Sequence, residues 1–118
     1  MKLNRLLLVG LLAVAPTVVL AVGAIAIDDE AGDSEPGYGI STGKATKEAA
    51  TQEALAECKK AGNDNCKVKV WFNGCGAYAA SRNFYGVGYG ATQKIADAKA
   101  LKECGKTSCE VKVSECDE

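Results

Sequence analysis

Histidine is absent from the 118 residues. That removes the commonest general base and the commonest metal ligand. Every Ser-His-Asp or Cys-His arrangement is excluded with it. The six cysteines contain no C-x-x-C pair, so the usual zinc spacing is missing too. A basic excess is lacking as well: 14 Lys and Arg stand against 15 Asp and Glu, which argues against a nucleic-acid binder. No metal site, no cofactor and no catalytic constellation is expected from these absences, and a non-enzymatic role follows. Length allows one small domain.

What is present begins with an export signal. Lys2 and Arg5 precede a stretch from Leu6 to Leu20 that is almost wholly apolar and carries no charge, the n-region and h-region of a secretory signal. Small residues offer two cleavage sites, before Val22 and before Ile27. A transmembrane anchor is the competing reading, because Leu6 to Ile27 would be long enough to span a bilayer. Pro16, Gly23 and the small residues favour removal. The expected organisation is a signal peptide over 1–21 and one domain over 22–118, with net charge −3 once Lys2 and Arg5 are gone. After cleavage no membrane attachment is expected, and the destination is periplasm or secretion. Six cysteines in an oxidising compartment read as three disulfides.

The domain is one motif written twice. Thr46–Cys58 and Thr92–Cys104 agree at six of 13 positions, and Cys66–Val70 and Cys109–Val113 at four of five. Gly23-Ala24-Ile25-Ala26 matches Gly76-Ala77-Tyr78-Ala79, and Tyr38-Gly39-Ile40 matches Tyr85-Gly86-Val87. Cleavage before Ile27 would cut a strand that the second copy keeps whole, so the mature N-terminus is expected at Val22. The two repeats are set at 22–75 and 76–118.

Each repeat reads strand, strand, helix, strand. Thr46 and Thr92 are N-cap candidates. Ala50, Ala54 and Cys58 fall at i, i+4, i+8, as do Ala96, Ala100 and Cys104. Gly62 and Gly105 supply stop signals, and Arg82-Asn83 suits a two-residue hairpin turn. The expected fold is α+β, disulfide-stapled: two pseudo-symmetric repeats in one mostly antiparallel sheet, with both helices on one face. Six cysteines allow fifteen pairings, and few respect the repeat. The simplest is Cys58–Cys66 and Cys104–Cys109, with Cys75–Cys116 joining the halves.

Strand alternation assigns Ile25, Ile40, Val68, Val70, Tyr78, Val87, Val111 and Val113 to the core beneath the helices. The opposite parity carries Ala24, Ala26, Ala77, Ala79, Gly86, Gly88 and Trp71, a flat face expected to be open. Trp71 among Lys67, Lys69 and Lys112 is its candidate partner-binding patch, since tryptophan is enriched at binding hot spots. The link Asp28–Pro36 holds five acidic residues and no base, and reads as a solvated loop. Gly86-Val87-Gly88-Tyr89-Gly90-Ala91 fits G-x-G-x-x-A, but the context a dinucleotide site needs is missing. A glycine-rich strand packed on something flat explains it.

The paired Ala-Leu-x-x-Cys helices, with Asn73-Gly74-Cys75-Gly76-Ala77-Tyr78-Ala79 between them, resemble the bacterial exported family catalogued as domain of unknown function 4189. The resemblance covers nearly all of the mature chain. It implies export and a small disulfide-bearing domain. It brings no established activity, so no catalytic residue is carried over. The expected function is an exported binding module acting by contact with a protein partner, as an inhibitor, immunity-type protein or host-directed factor. The alternatives are a small periplasmic hydrolase built on carboxylates and a structural envelope component.

Overall fold

Both halves fold in the strand-strand-helix-strand order that the repeat predicts. The computed structural model describes residues 20–30, 32 and 34–117; the candidate export signal, up to residue 19, lies outside them. The first half comprises β1 (Val22–Asp28), β2 (Gly37–Lys44), α1 (Lys47–Lys60) and β3 (Lys67–Phe72). The second comprises β4 (Cys75–Ser81), β5 (Phe84–Gly90), α2 (Gln93–Cys104) and β6 (Glu110–Cys116). The caps are where the sequence puts them. Thr46 Oγ1 accepts from the Ala49 N–H at 3.0 Å and Thr92 Oγ1 from the Ile95 N–H at 3.2 Å, each satisfying a first-turn donor. Gly105 ends α2 in the left-handed conformation at φ 77°. Asn83 makes the β4–β5 turn at φ 69°.

The single sheet expected from the sequence is corrected: the strands form two sheets. The first is ordered β2-β1-β3 and the second β5-β4-β6, all pairs antiparallel. The two residues Asn73-Gly74, with Gly74 at φ 90°, carry the chain from one sheet into the other. The helices lie on the outer faces, α1 on the first sheet and α2 on the second. The result is four layers: helix, sheet, sheet, helix.

Side-chain size explains this arrangement. The small face of each sheet lies under a helix. Ala24 and Ala26 pack on Ala50, Ala54 and Cys58, and Ala77 and Ala79 on Ala96, Ala100 and Cys104. The expected open face is therefore covered. An alanine stripe on a helix can approach an alanine-glycine strand face closely, and close packing is what interiors require. The large face cannot be filled by such a helix. Ile25, Ile27, Phe72, Tyr78 and Ala80 meet between the two sheets instead, flanked by Ile40, Val70, Val87 and Val113. Each half thus supplies the partner that the other half's large face needs.

Two β-bulges complete the correction. Opposite β1, Ile25 pairs with Val70 and Ala26 with Val68, which leaves Lys69 as an extra residue. Opposite β4, Tyr78 pairs with Val113 and Ala79 with Val111, leaving Lys112 extra. A one-residue insertion switches the face of everything beyond it. Val68 and Val111 therefore join the helix-side clusters, and Val70 and Val113 the layer between the sheets. Strict alternation places all four together.

The three disulfides are Cys58–Cys66, Cys75–Cys116 and Cys104–Cys109, the pairing that the repeat favoured. Cys75 opens β4 and is the direct partner of Cys116 on β6. That bridge lies within the second sheet and does not join the halves as expected. The halves are tied at this end by Asp117, whose carboxylate accepts from the Gly43 N–H at 2.8 Å and the Gly74 N–H at 3.1 Å.

Candidate functional site

Trp71 pairs opposite Ala24 on β1, on the helix side of its sheet. There its indole reaches the first turns of α1. Nε1 donates to Thr51 Oγ1 at 2.9 Å, and Lys47 Nζ lies 4.5 Å from the ring centre. Trp71 stays 40% exposed and forms the ridge between two shallow cavities. One, of about 550 Å³, is lined by Val22, Ala45, Phe72 and Asn73; the other, of about 290 Å³, by Glu48, Thr51 and Gln52. Lys47 borders both. This tryptophan is oriented by a hydrogen bond and a stacked ammonium, while much of its apolar surface remains in water.

The Trp71→Ala change is expected to cost about 1–2 kcal/mol of stability, the worth of one side-chain hydrogen bond and one exposed cation–π contact. Urea unfolding of the variant checks this. A loss of 3–5 kcal/mol would mark a fully buried aromatic instead.

The three lysines do not join Trp71. Lys69 and Lys112, the two bulge residues, point to the β1–β2 link. Lys69 Nζ lies 3.3 Å from Asp29 Oδ2, and Lys112 Nζ 3.0 Å from Glu35 Oε2. Lys67 reaches Glu30 at 3.3 Å, and Lys112 also pairs with Glu110 at 3.4 Å. Tyr85 donates to Asp29 Oδ2 at 3.1 Å, and the buried Tyr78 hydroxyl donates to the Pro36 carbonyl. The acidic link is thus held down at both ends and is more than a solvated loop. Its carboxylates pair with all three lysines of the expected partner-binding patch.

The electrostatics follow from these contacts. Burial alone would raise the Asp29 carboxyl. Hydrogen bonds from Tyr85 and Lys69, with the Lys69 charge, outweigh it and hold the group below its ordinary 3.8. The Asp29 hydrogen bond chiefly raises Lys69, against desolvation, and the Glu35 hydrogen bond chiefly raises Lys112. Burial raises the Tyr78 phenol, which keeps it a donor.

A carboxyl whose folded value is depressed stabilises above its unfolded value, and that stabilisation is lost as pH falls through the folded one. The Lys69→Met change is therefore expected to cost under about 1 kcal/mol at neutral pH. The gap to the native protein should close as pH falls below 3.8. Urea midpoints at neutral pH and at about pH 2 check it. A gap that persists in acid would assign the loss to packing of the lysine stem.

Two residues of the candidate site escaped the sequence. Lys47 and Thr51 sit on α1, one turn apart, and were legible as neighbours of Trp71 only with the helix on the correct face. The glycine motif does resolve. A Cβ on Gly86 or Gly88 would fall within 2.5 Å of the α2 backbone, so these glycines seat the helix and cradle no phosphate.

A family described as Domain of unknown function (DUF4189) matches residues 22–116. The chain belongs to that family. No curated protein and no solved structure matches it significantly. The DUF4189 match takes in both sheets, both helices and all six cysteines. Three disulfides in this DUF4189 domain are consistent with an extracytoplasmic protein. Among the described residues no helix is long and apolar enough to cross a membrane.

Proposed function

We propose that this protein is exported through the signal at 1–21, matures at Val22, and acts outside the cytoplasm as a binding module for a protein partner. The observation that carries the reading is Trp71: a half-exposed indole, fixed by Thr51 and Lys47, between two shallow cavities. Rigid, partly apolar aromatics of this kind concentrate binding energy, because little side-chain freedom is lost when they are covered. The family match that begins at Val22 supports the maturation site, and three bridges suit an oxidising compartment.

The test is affinity capture from the native host's extracytoplasmic extract, followed by measurement of Kd with the purified partner. Trp71→Ala is expected to weaken that complex by more than about 2 kcal/mol, roughly 30-fold. A partner equally well bound by the variant would remove Trp71 from the reading. Turnover of a peptidoglycan, peptide or phosphoester substrate, abolished by one acidic substitution, would replace it with the carboxylate hydrolase.

A further inference from the structure

The two halves each place a groove between the second strand, the helix and the last strand of the opposite half, and the two grooves differ. In one, β5, α2 and β3 contribute Val87, Tyr89, Lys99, Glu103 and Lys69 around about 380 Å³. Its edge is closed from within, because Glu103 Oε1 accepts the outward N–H of Val87 at 2.7 Å. In the other, β2, α1 and β6 contribute Tyr38, Ile40, Glu57, Val113 and Glu115, with Glu35 at one end, around about 560 Å³.

Ile40 is the repeat-mate of Val87. Both are paired to the matching position of the central strand, Ile25 and Tyr78, so the Ile40 N–H faces the same outer side. Glu57 is the repeat-mate of Glu103, yet its side chain makes no hydrogen bond or ion pair among the described residues, and neither does that of Glu115. Among the described residues no lysine or arginine lines this groove.

Exposed strand edges are normally protected. The edges of β3 and β6 are kinked by the Lys69 and Lys112 bulges, and β5 is capped by Glu103. β2 has its own irregularity beyond Ser41, but residues 37–41 run in regular register, and no side chain among the described residues caps them. We propose that the β2 edge receives an extended basic segment of the partner protein, added as a further strand with its lysine or arginine side chains on Glu57 and Glu115. Main-chain bonds to Tyr38 and Ile40 would supply the pairing, and the carboxylates the choice of sequence. A second copy of this chain is disfavoured as occupant, since it would set the same carboxylates against each other. The assignment rests on the binding-module reading above and names the partner's chemistry at a surface separate from Trp71.

The test uses the oxidised full domain, labelled with nitrogen-15 and titrated with an octapeptide of alternating lysine and threonine. Saturable shifts confined to β2 and its groove are expected, with hydrogen exchange at the Ile40 amide slowed at least about fivefold on saturation. The Glu57→Gln, Glu115→Gln double variant should raise Kd about tenfold, and Lys94→Gln, an exposed change on α2, should leave it unchanged. A peptide of the same charge interrupted by proline lacks ladder donors and should bind far more weakly, and an alternating glutamate and threonine peptide not at all.

Equal binding of the proline peptide, shifts elsewhere, or dimerisation through β2 in sedimentation would each overturn the proposal. Failure of every peptide, with the captured partner still lost on Trp71→Ala, overturns this groove alone and leaves the binding-module reading standing. Peptide binding at β2, with the captured partner indifferent to Trp71, removes Trp71 from the binding-module reading and leaves the groove standing.

Discussion

The Gly86→Ala variant is expected to lose about 3 kcal/mol of stability, at the top of the usual range for overpacking. A Cβ there would lie 2.3 Å from the Ala100 carbonyl oxygen and 2.4 Å from the Cys104 amide nitrogen. Both are backbone atoms of α2, so no rotamer change relieves the contact. The helix must lift from the sheet, and its end is anchored through Cys104 to Cys109. In a domain of this size the melting temperature should fall by roughly 12–24 °C. Gly62→Ala is the control: its φ is 100° with open space around it, so it bears only conformational strain, about 1–2 kcal/mol. Should calorimetry find the Gly86 variant no worse than the Gly62 variant, the close seat of α2 on β5 would be wrong.

Removal of the Cys75–Cys116 bridge by paired alanine substitution is expected to cost about 4 kcal/mol in the chain-entropy description. The bridge spans 41 residues. Cys104–Cys109 spans 5 and Cys58–Cys66 spans 8, for which the same relation gives about 2 kcal/mol each. Cys75 and Cys116 already face each other across β4 and β6, so the folded sheet loses little pairing and the effect falls on the unfolded chain. Urea unfolding of the three paired variants ranks them. A larger loss from either short bridge would show that helix-end packing, rather than loop closure, sets their worth.

Local signals were the legible part of this sequence. Thr46 and Thr92 at the caps, Gly105 at a helix end, Asn83 in the hairpin turn and the short bridges Cys58–Cys66 and Cys104–Cys109 depend on neighbours in the chain, and the repeat states the caps and the short bridges twice. The layer order was not legible, because alternation separates two faces without saying which is covered by what. Alternation alone assigns the large face to the helices, although helices lined by Ala50, Ala54, Ala96 and Ala100 have too little volume to fill it. The bulges at Lys69 and Lys112 compounded this. Nothing in Lys-Val-Lys-Val marks an inserted residue, so strict parity misplaced Val68 and Val111. The Trp71 site was half-read: its residue was found, but its true neighbours, Lys47 and Thr51, came into view only with α1 on the small face. The three lysines were found and given the wrong company, since the acidic link lies far from β3 and β6 in sequence.

The layer between the sheets is, in form, the interface of a twofold dimer whose protomers have been joined by Asn73 and Gly74. In a true homodimer each groove would be an identical copy of the other, and any residue that closed one would close both. Tandem fusion lifts that constraint. Glu103 can seal one edge while its counterpart Glu57 has no partner among the described residues at the other, and Lys69 can pair with Asp29 while Lys112 pairs with Glu35. Asymmetry becomes available at single-residue cost, without disturbing the packing that the halves share. A symmetric scaffold can therefore present one side to a partner and keep the other shut.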